Sequence, residues 1–373
     1  MSDRALVATR KGLFHLEAAA GRWTIARVSF LGDAVPMVLC DPRNGAIYAA
    51  LGHGHFGSKL HRSDDAGATW TEIAAPAWPE PPVGYTEPQN PMSGKAVPWR
   101  LEMIWALETG GPDQPGRLWC GTLPGGLFRS DDGGDSWTLI RSLWDRPERP
   151  AWFGGGYDYP GIHSICVDPR HSRRISLGIS CGGVWRSDDD GANWRLAARG
   201  MRADFMPPGR EADENVQDPH RMVQCPAAPD RFWVQHHCGI FQSSDDCANW
   251  EEIKTAPVSG FGFAVAVHPA NPDIAWFVPA QKDEKRIPVE GRVVVTRTSD
   301  GGKSFDVLSR GLPQQHAYDL VFRHALDVDH SGARLLFGST TGSLWTSDDG
   351  GDSWKSISNH LPPVYAVRFV HER

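Results

Sequence analysis

Apolar and polar positions along this 373-residue chain alternate over short runs, and the runs fall into recurring groups. In one group, Arg117-Leu118-Trp119-Cys120 and Gly126-Leu127-Phe128-Arg129 precede a polar, glycine-rich stretch, and Trp137-Thr138-Leu139-Ile140 follows it. Runs of this length, bounded by glycine and aspartate, predict short β-strands. A further apolar stretch opens each group: 37 to 41, 101 to 107, 162 to 168, 221 to 226, 262 to 268 and 317 to 323. Four short antiparallel strands per unit, repeated along the chain, predict the blades of an all-β propeller.

The polar stretch is itself a repeat. Six copies of Ser/Thr-x-Asp-x-Gly-x-x-Trp begin at Ser63, Ser130, Ser187, Ser243, Thr298 and Ser347, separated by 67, 57, 56, 55 and 49 residues. A pattern recurring at that period marks an array. Two copies deviate: Phe305 stands in the Trp position, and Cys247 stands where the others carry Gly, which predicts an altered loop in the fifth blade. The pattern describes a tight loop that ties off its own backbone, with Ser/Thr and Asp accepting from nearby N–H groups, Gly supplying a positive φ and Trp packing on the strands below. The aspartates are accordingly read as structural, not as acid/base partners or calcium ligands.

Residues 4 to 26 repeat three strands without a box and without an opening apolar stretch, while Val364-Tyr365-Ala366-Val367-Arg368-Phe369-Val370 is a strand with no group of its own. The two ends therefore complete one blade, giving seven blades closed by the C-terminal strand. Closure removes the exposed edges of an open array. The repeat runs from 1 to 373 without a linker or low-complexity segment, so a single domain is expected.

Glycine (40), proline (29) and tryptophan (16) suit many turns and bulky packing between blades. A net charge of −7 and the lack of a basic, aromatic-interleaved cluster disfavour nucleic acid as a partner. No apolar run is long enough to span a bilayer, and the first residues pass into blade sequence without a signal-peptide core. Seven cysteines without framework spacing fit reduced thiols and a cytoplasmic address.

The boxes resemble those of the Asp-box, or bacterial neuraminidase repeat, superfamily over nearly the whole chain. The superfamily includes sialidases, other glycoside hydrolases, sorting receptors and photosystem assembly factors, so the resemblance implies the fold and leaves activity open. Because the boxes occupy one rim, a ligand site is expected on the other, where the links 74 to 100, 141 to 161, 198 to 219 and 254 to 261 carry most inserted residues.

Two chemistries compete for that rim. Aromatics beside acids and arginines suit a glycan-like ligand: Tyr85, Trp99, Arg100 and Glu102 in the first long link and Trp152 in the second; the alternative reading of these links is a proline-stiffened cover over the blades. A sialidase-like enzyme would need three arginines, a Tyr/Glu nucleophile pair and an acid/base carboxylate. On that reading Glu102, Arg221 and Tyr318 are catalytic candidates, with Arg100, Trp99, Tyr85, Trp152 and His316 binding substrate. The family's Arg-Ile-Pro triplet belongs in the first blade, so Arg286-Ile287-Pro288 in the sixth is set aside as coincidence. Alternatively, His53, His55, His163, His220 and His236 all map to this rim and would hold a divalent transition metal, with Glu102 as base or outer partner. The expected function is a glycoside hydrolase-like enzyme acting on a small or glycan-like ligand. The alternatives are a metal-dependent enzyme and a non-catalytic binding or assembly propeller with a protein partner.

Overall fold

The computed structural model describes residues 1–87, 89–90 and 93–370. Seven four-stranded antiparallel sheets form a ring of blades. The innermost strands are Val364–Phe369, Ala34–Cys40, Met103–Thr109, Ile162–Val167, Pro219–Cys225, Gly262–Val267 and Leu326–Val328, for blades 1 to 7 in order. The seam lies where the two ends of the chain predict it: Val364–Phe369 pairs with Arg4–Thr9, Val7 opposite Val367 and Ala8 opposite Ala366. Arg334 of blade 7 holds the first residues as well, donating to the Ser2 carbonyl and the Asp3 carboxylate at 2.7 Å each.

The core is a series of layers between neighbouring sheets. Leu60 and Tyr48 of blade 2 pack with Leu107 and Phe128 of blade 3, and Ile175 and Trp185 of blade 4 pack with Trp119 of blade 3. Trp119, Trp185, Trp233 and Trp276 are fully buried in such layers. Each large apolar side chain removed from water contributes roughly 1.5–3 kcal/mol, so the middle strands carry the stability while the short outer strands stay exposed.

Each box ties itself off as its pattern implies. In the blade 3 copy, Ser130 Oγ accepts from Gly134 N–H at 2.8 Å and donates to Asp132 Oδ1 at 2.7 Å. Asp132 also accepts from the backbone N–H and hydroxyl of Ser136 at 2.9 and 2.5 Å. The seventh position, Thr69, Ser136, Asn193, Asn249, Ser304 or Ser353, supplies these donors in all six copies, a regularity the eight-residue pattern left as x. With their oxygens so engaged, these carboxylates are not poised for catalysis or metal binding.

Two expectations need correction, and one pair of alternatives is narrowed. The blade 5 box is not altered: Asp246 and Cys247 both take φ of 63°, the left-handed turn that Gly provides elsewhere, and Cys247 N–H still reaches Ser243 Oγ at 3.1 Å. The innermost strand of blade 7 is Leu326–Val328 and not 317 to 323; that stretch is irregular, and its apolar character comes from Ala317, Leu320 and Val321 packing into the core. Finally, the aromatic links 74 to 100 and 141 to 161 are largely a cover. Trp99 packs edge-on against Tyr85 and Trp144 at 4.8 and 5.6 Å, Trp144 carries the Arg149 guanidinium at 3.9 Å, and Trp152 donates to Asn215 Oδ1 at 2.8 Å while packing on Trp185. Residues 88, 91 and 92 of the first link lie outside the described residues.

Removing the chain from 361 onward, whose last residues 371–373 are outside the described set, strips blade 1 of its inner strand and should lower the melting temperature of the whole ring; an unchanged melt would mean the seam is not structural. Asp349→Ala should cost about 1–2 kcal/mol in urea unfolding through its lost hydrogen bonds. Hydrogen bonds from Thr69 to Asp65, Ser136 to Asp132 and Ser304 to Asp300 hold these three carboxyls down at about 2. Their folded values lie below the unfolded one, so their contribution is complete above about pH 4 and is lost as pH falls through about 2. An acid titration of stability should show this loss, and Asp132→Asn should shrink it.

Candidate functional site at the rim mouth of the channel

A recurring irregularity builds the mouth. In six of the seven innermost strands the pairing register shifts at or near one end: between Ala34 and Met37, Ile104 and Ala106, Ile162 and Ser164, Pro219 and Arg221, Gly262 and Val265, and opposite Ala8/Thr9 at Tyr365. A bulge re-aims the residue it skips. The skipped residues include Pro36, Trp105, His163, His220, Phe263 and Tyr365. Four of them, Pro36, Trp105, Phe263 and Tyr365, line a cavity of about 370 Å³ at the end of the channel remote from the boxes.

Aromatic walls and two arginines define this cavity. Tyr157 stands edge-on to Trp105 at 5.1 Å, and Phe322 stacks with Tyr365 at 6.1 Å. The Arg323 guanidinium lies 4.9 Å from the Trp105 ring and 5.2 Å from that of Phe263, and Arg286 lies 5.5 Å from Phe263. Arg286 also donates to Asp283 from Nε at 2.9 Å. Arg323 is only 7% exposed, yet its Nε and Nη2 have no hydrogen-bond partner among the described residues. Burial lowers its hold on the proton and the nearby Asp218 opposes that effect.

Beside this wall the blade 5 hairpin assembles a second group. Pro219 pairs with His236, so Asp218 and His237 face each other just beyond the ladder, joined by His237 N–H to the Asp218 carbonyl at 3.0 Å. The bulge at His220 turns its ring toward them. Asp218 Oδ2 stands 3.4 Å from His220 Nε2 and 3.4 Å from His237 Nδ1. Asp218 Oδ1 accepts from Cys181 N–H at 3.1 Å and Ser180 Oγ at 3.2 Å. Burial works against the Asp218 charge, but His220, His237 and Arg323 prevail and hold its carboxyl well below the usual range. The two groups adjoin. His220 stacks on Phe263 at 4.5 Å, and the link that covers Asp218 Oδ2 with Gly155 places Gly156 beside both arginines. A side chain at Gly155 would meet that oxygen at 2.6 Å, so glycine is required there.

The anticipated residues scatter around this centre. Glu102 lines the mouth, but its carboxylate is engaged by Arg100 at 2.7 Å, and both share a separate hollow of about 490 Å³ with His53 and His55. Arg221 reaches the channel but not the mouth: it lines a cavity of about 490 Å³ toward the box side with Glu108 and Cys166, and burial pushes it down to about 10. Tyr318 is 63% exposed and neither it nor His316 lines the mouth, so the pairing of Tyr318 with Glu102 is not formed. His236 meets backbone N–H groups of Asp218 and Cys238 with its two ring nitrogens, at 2.9 and 3.0 Å, which leaves neither for a metal. His163 is buried against Trp105, and its carbonyl accepts from His324 Nε2 at 2.7 Å and Arg221 at 3.2 Å. The five histidines named as ligands thus do not converge; His220 alone of them stands among donors near enough to share an ion, with Asp218 and His237.

Comparison with known proteins agrees with the fold. No family model matches the chain. It is 28% identical over 193 residues, 48% of its length, to a probable oligoxyloglucan-reducing end-specific xyloglucanase of Neosartorya fischeri, of which this covers 20%. It is 21% identical over 267 residues to a xyloglucanase of a Paenibacillus species, covering 63% of the chain and 24% of the relative. The chain therefore spans a quarter or less of the curated relatives it matches. Among solved structures, the GH74 xyloglucanase from Xanthomonas campestris superposes with a TM-score of 0.64 at 18% identity, over 96% of this chain and 53% of that one. YCF48 from Cyanidioschyzon merolae superposes with a TM-score of 0.52 at 12% identity, over 88% and 87%.

Sequence reading missed Arg323, Trp105, Phe263, Asp218 and the ligand geometry of His237. A usable signal existed for the last two: Asp218-Pro219-His220 opens one strand, and His236-His237 ends the strand that pairs with it. Because Trp144 is 4% exposed within the cover, Trp144→Ala should cost about 3–5 kcal/mol in denaturant unfolding, while ligand binding at the mouth is retained once the variant is folded.

Proposed function

We propose that the protein is a carbohydrate-active, glycoside hydrolase-like propeller that takes an acidic, sugar-like ligand into the rim mouth. The observation that carries this reading is Arg323: a nearly buried guanidinium with unpartnered Nε and Nη2 among the aromatic side chains of a ligand-sized cavity. A buried guanidinium with unmet hydrogen bonds is costly, and a ligand carboxylate or other anion that accepts them offsets that cost. Arg286 adds a second guanidinium, itself paired with Asp283. Trp105, Tyr157 and Phe263 offer rings against which the apolar faces of a sugar pack. Similarity to xyloglucanases supports the carbohydrate class, and the two arginines favour an acidic sugar over a neutral one.

In this reading Arg323 and Arg286 orient the ligand by its negative group, and the aromatic walls position the rest. Glu102 is the carboxylate lining the cavity, and it accepts from Arg100 Nε at 2.7 Å. Calorimetric titration with uronic and sialic acids, alongside neutral xyloglucan oligosaccharides, tests the proposal. Acidic sugars should bind more tightly, and Arg323→Gln should weaken them about tenfold or more, as loss of one charged hydrogen bond implies. Acidic sugars binding no more tightly than neutral oligosaccharides, or binding folded Arg323→Gln as tightly as the parent protein, would overturn it.

A further inference from the structure

We propose that Asp218, His220 and His237 form a binding site for a divalent transition metal, best matched by zinc. The donor atoms of the three side chains lie within 4.8 Å of one another. Asp218 and His220 are each 1% exposed, and among the described residues their converging atoms, Oδ2 and Nε2, have no hydrogen-bond partner; neither does His237 Nδ1. Three unpartnered polar atoms meeting at one buried point constitute a cost that proteins rarely carry without something to relieve it.

Tautomer geometry says what that something is. His220 Nδ1 is 2.6 Å from the Gly262 carbonyl, which can only accept, so Nδ1 carries the hydrogen. In the neutral ring, Nε2 then presents a lone pair to the lone pairs of Asp218 Oδ2. Two acceptors facing each other repel unless a proton or a metal ion lies between them. A ring N–H held by a backbone carbonyl, with the other nitrogen left free, is how metal-binding histidines are oriented. Asp218 is held in the same manner: Cys181 N–H and Ser180 Oγ occupy Oδ1, His236 accepts from its backbone N–H, and Oδ2 alone remains for a ligand.

The spacing selects the ion. Two donors on a tetrahedral zinc with bonds of about 2.0–2.1 Å stand about 3.3 Å apart. Asp218 Oδ2 lies 3.4 Å from each imidazole nitrogen. His237, on the two-residue turn between Ala228–His236 and Gly239–Ser243 and 21% exposed on its side chain, is free to close the remaining gap between the imidazoles. Two nitrogens and one oxygen leave one tetrahedral position open, the arrangement of a zinc that also takes water or a ligand group. Gly155 leaves the necessary room over Oδ2, which a Cβ would fill.

This inference does not rest on the carbohydrate reading, and its test reads metal directly. The full chain, stripped by chelator and then incubated with zinc sulfate and desalted, should retain about one zinc per molecule by elemental mass spectrometry. Cobalt(II) in its place should give the intense visible absorption of a tetrahedral ion. Asp218→Asn and His237→Gln should both lose zinc retention and the cobalt spectrum, and His237→Gln, changing a partly exposed turn residue, should keep the parent fold by circular dichroism. His53→Gln, in the separate hollow, should retain zinc. Failure of the parent protein to retain zinc would mean that water alone fills the site, and unimpaired retention in folded His237→Gln would place the ion elsewhere; either result overturns the proposal.

Discussion

The bulge at one end of nearly every innermost strand is the constraint on which the mouth depends. In a regular ladder the residues beside the channel would alternate strictly, half facing the axis and half the neighbouring blade. Skipping a residue near the strand start breaks that alternation at one level of the ring, in six strands. Trp105, Phe263 and Tyr365 thereby reach the cavity, and His220 turns toward Asp218 and His237. The rest of each strand returns to pairing, so the scaffold stays rigid below the irregular level. Blade 7 reaches the same end by another route: its inner strand is only Leu326–Val328, and the irregular residues before it deliver Phe322, Arg323 and His324.

Electrostatics divides the channel into two unlike halves. Toward the boxes, Arg221 and Arg368 share the shaft with Glu108 and Asp327, which partly compensate one another. The His163 carbonyl, bound by His324 and Arg221, lies between that half and the mouth. At the mouth, Arg323 has aromatic faces for company, and Asp218 is the buried charge nearest in sign to balancing it. Cation–π contacts are worth only about 0.5–2 kcal/mol each, less than a full counter-ion supplies. The mouth is therefore the half of the channel that gains most from a ligand, and it is the half covered by the glycine-containing link at 154–156.

The box carboxylates, which look like chemistry in the sequence, turn out to be among the best satisfied acids in the molecule. Asp132 accepts from Ser130 and twice from Ser136, all within a few residues of itself. Much of this saturation is legible from the pattern, because Ser130 and Asp132 are in it; the side-chain donor at the seventh position is not, since the pattern leaves that position as x. The same reasoning explains Cys247. The loop's hydrogen bonds, made by Ser243 and Asp245, outweigh the roughly 1–2 kcal/mol that a left-handed non-glycine residue costs.

What the chain alone determined were the properties whose partners lie close in sequence: seven blades, the box loops, the strand trios and, from one surplus and one missing strand, the closure of Arg4–Thr9 on Val364–Phe369. Those follow from period-two alternation and turn chemistry, which need only neighbouring residues. The site did not follow. Arg221 stood at an inner-strand start, where the bulge turns His220 toward Asp218 and leaves Arg221 in the shaft, and Tyr318 fell in the irregular stretch before the blade 7 strand. Trp99 and Trp152 matched a sugar platform in composition but found Tyr85, Trp144, Trp185 and Asn215 as packing partners across links and blades. Arg323, Trp105 and Phe263 come from blades 7, 3 and 6, and their meeting depends on ring closure and bulge position together. Convergence on an axis is a property of the assembled ring, decided by tertiary packing because its members come from several segments far apart in sequence.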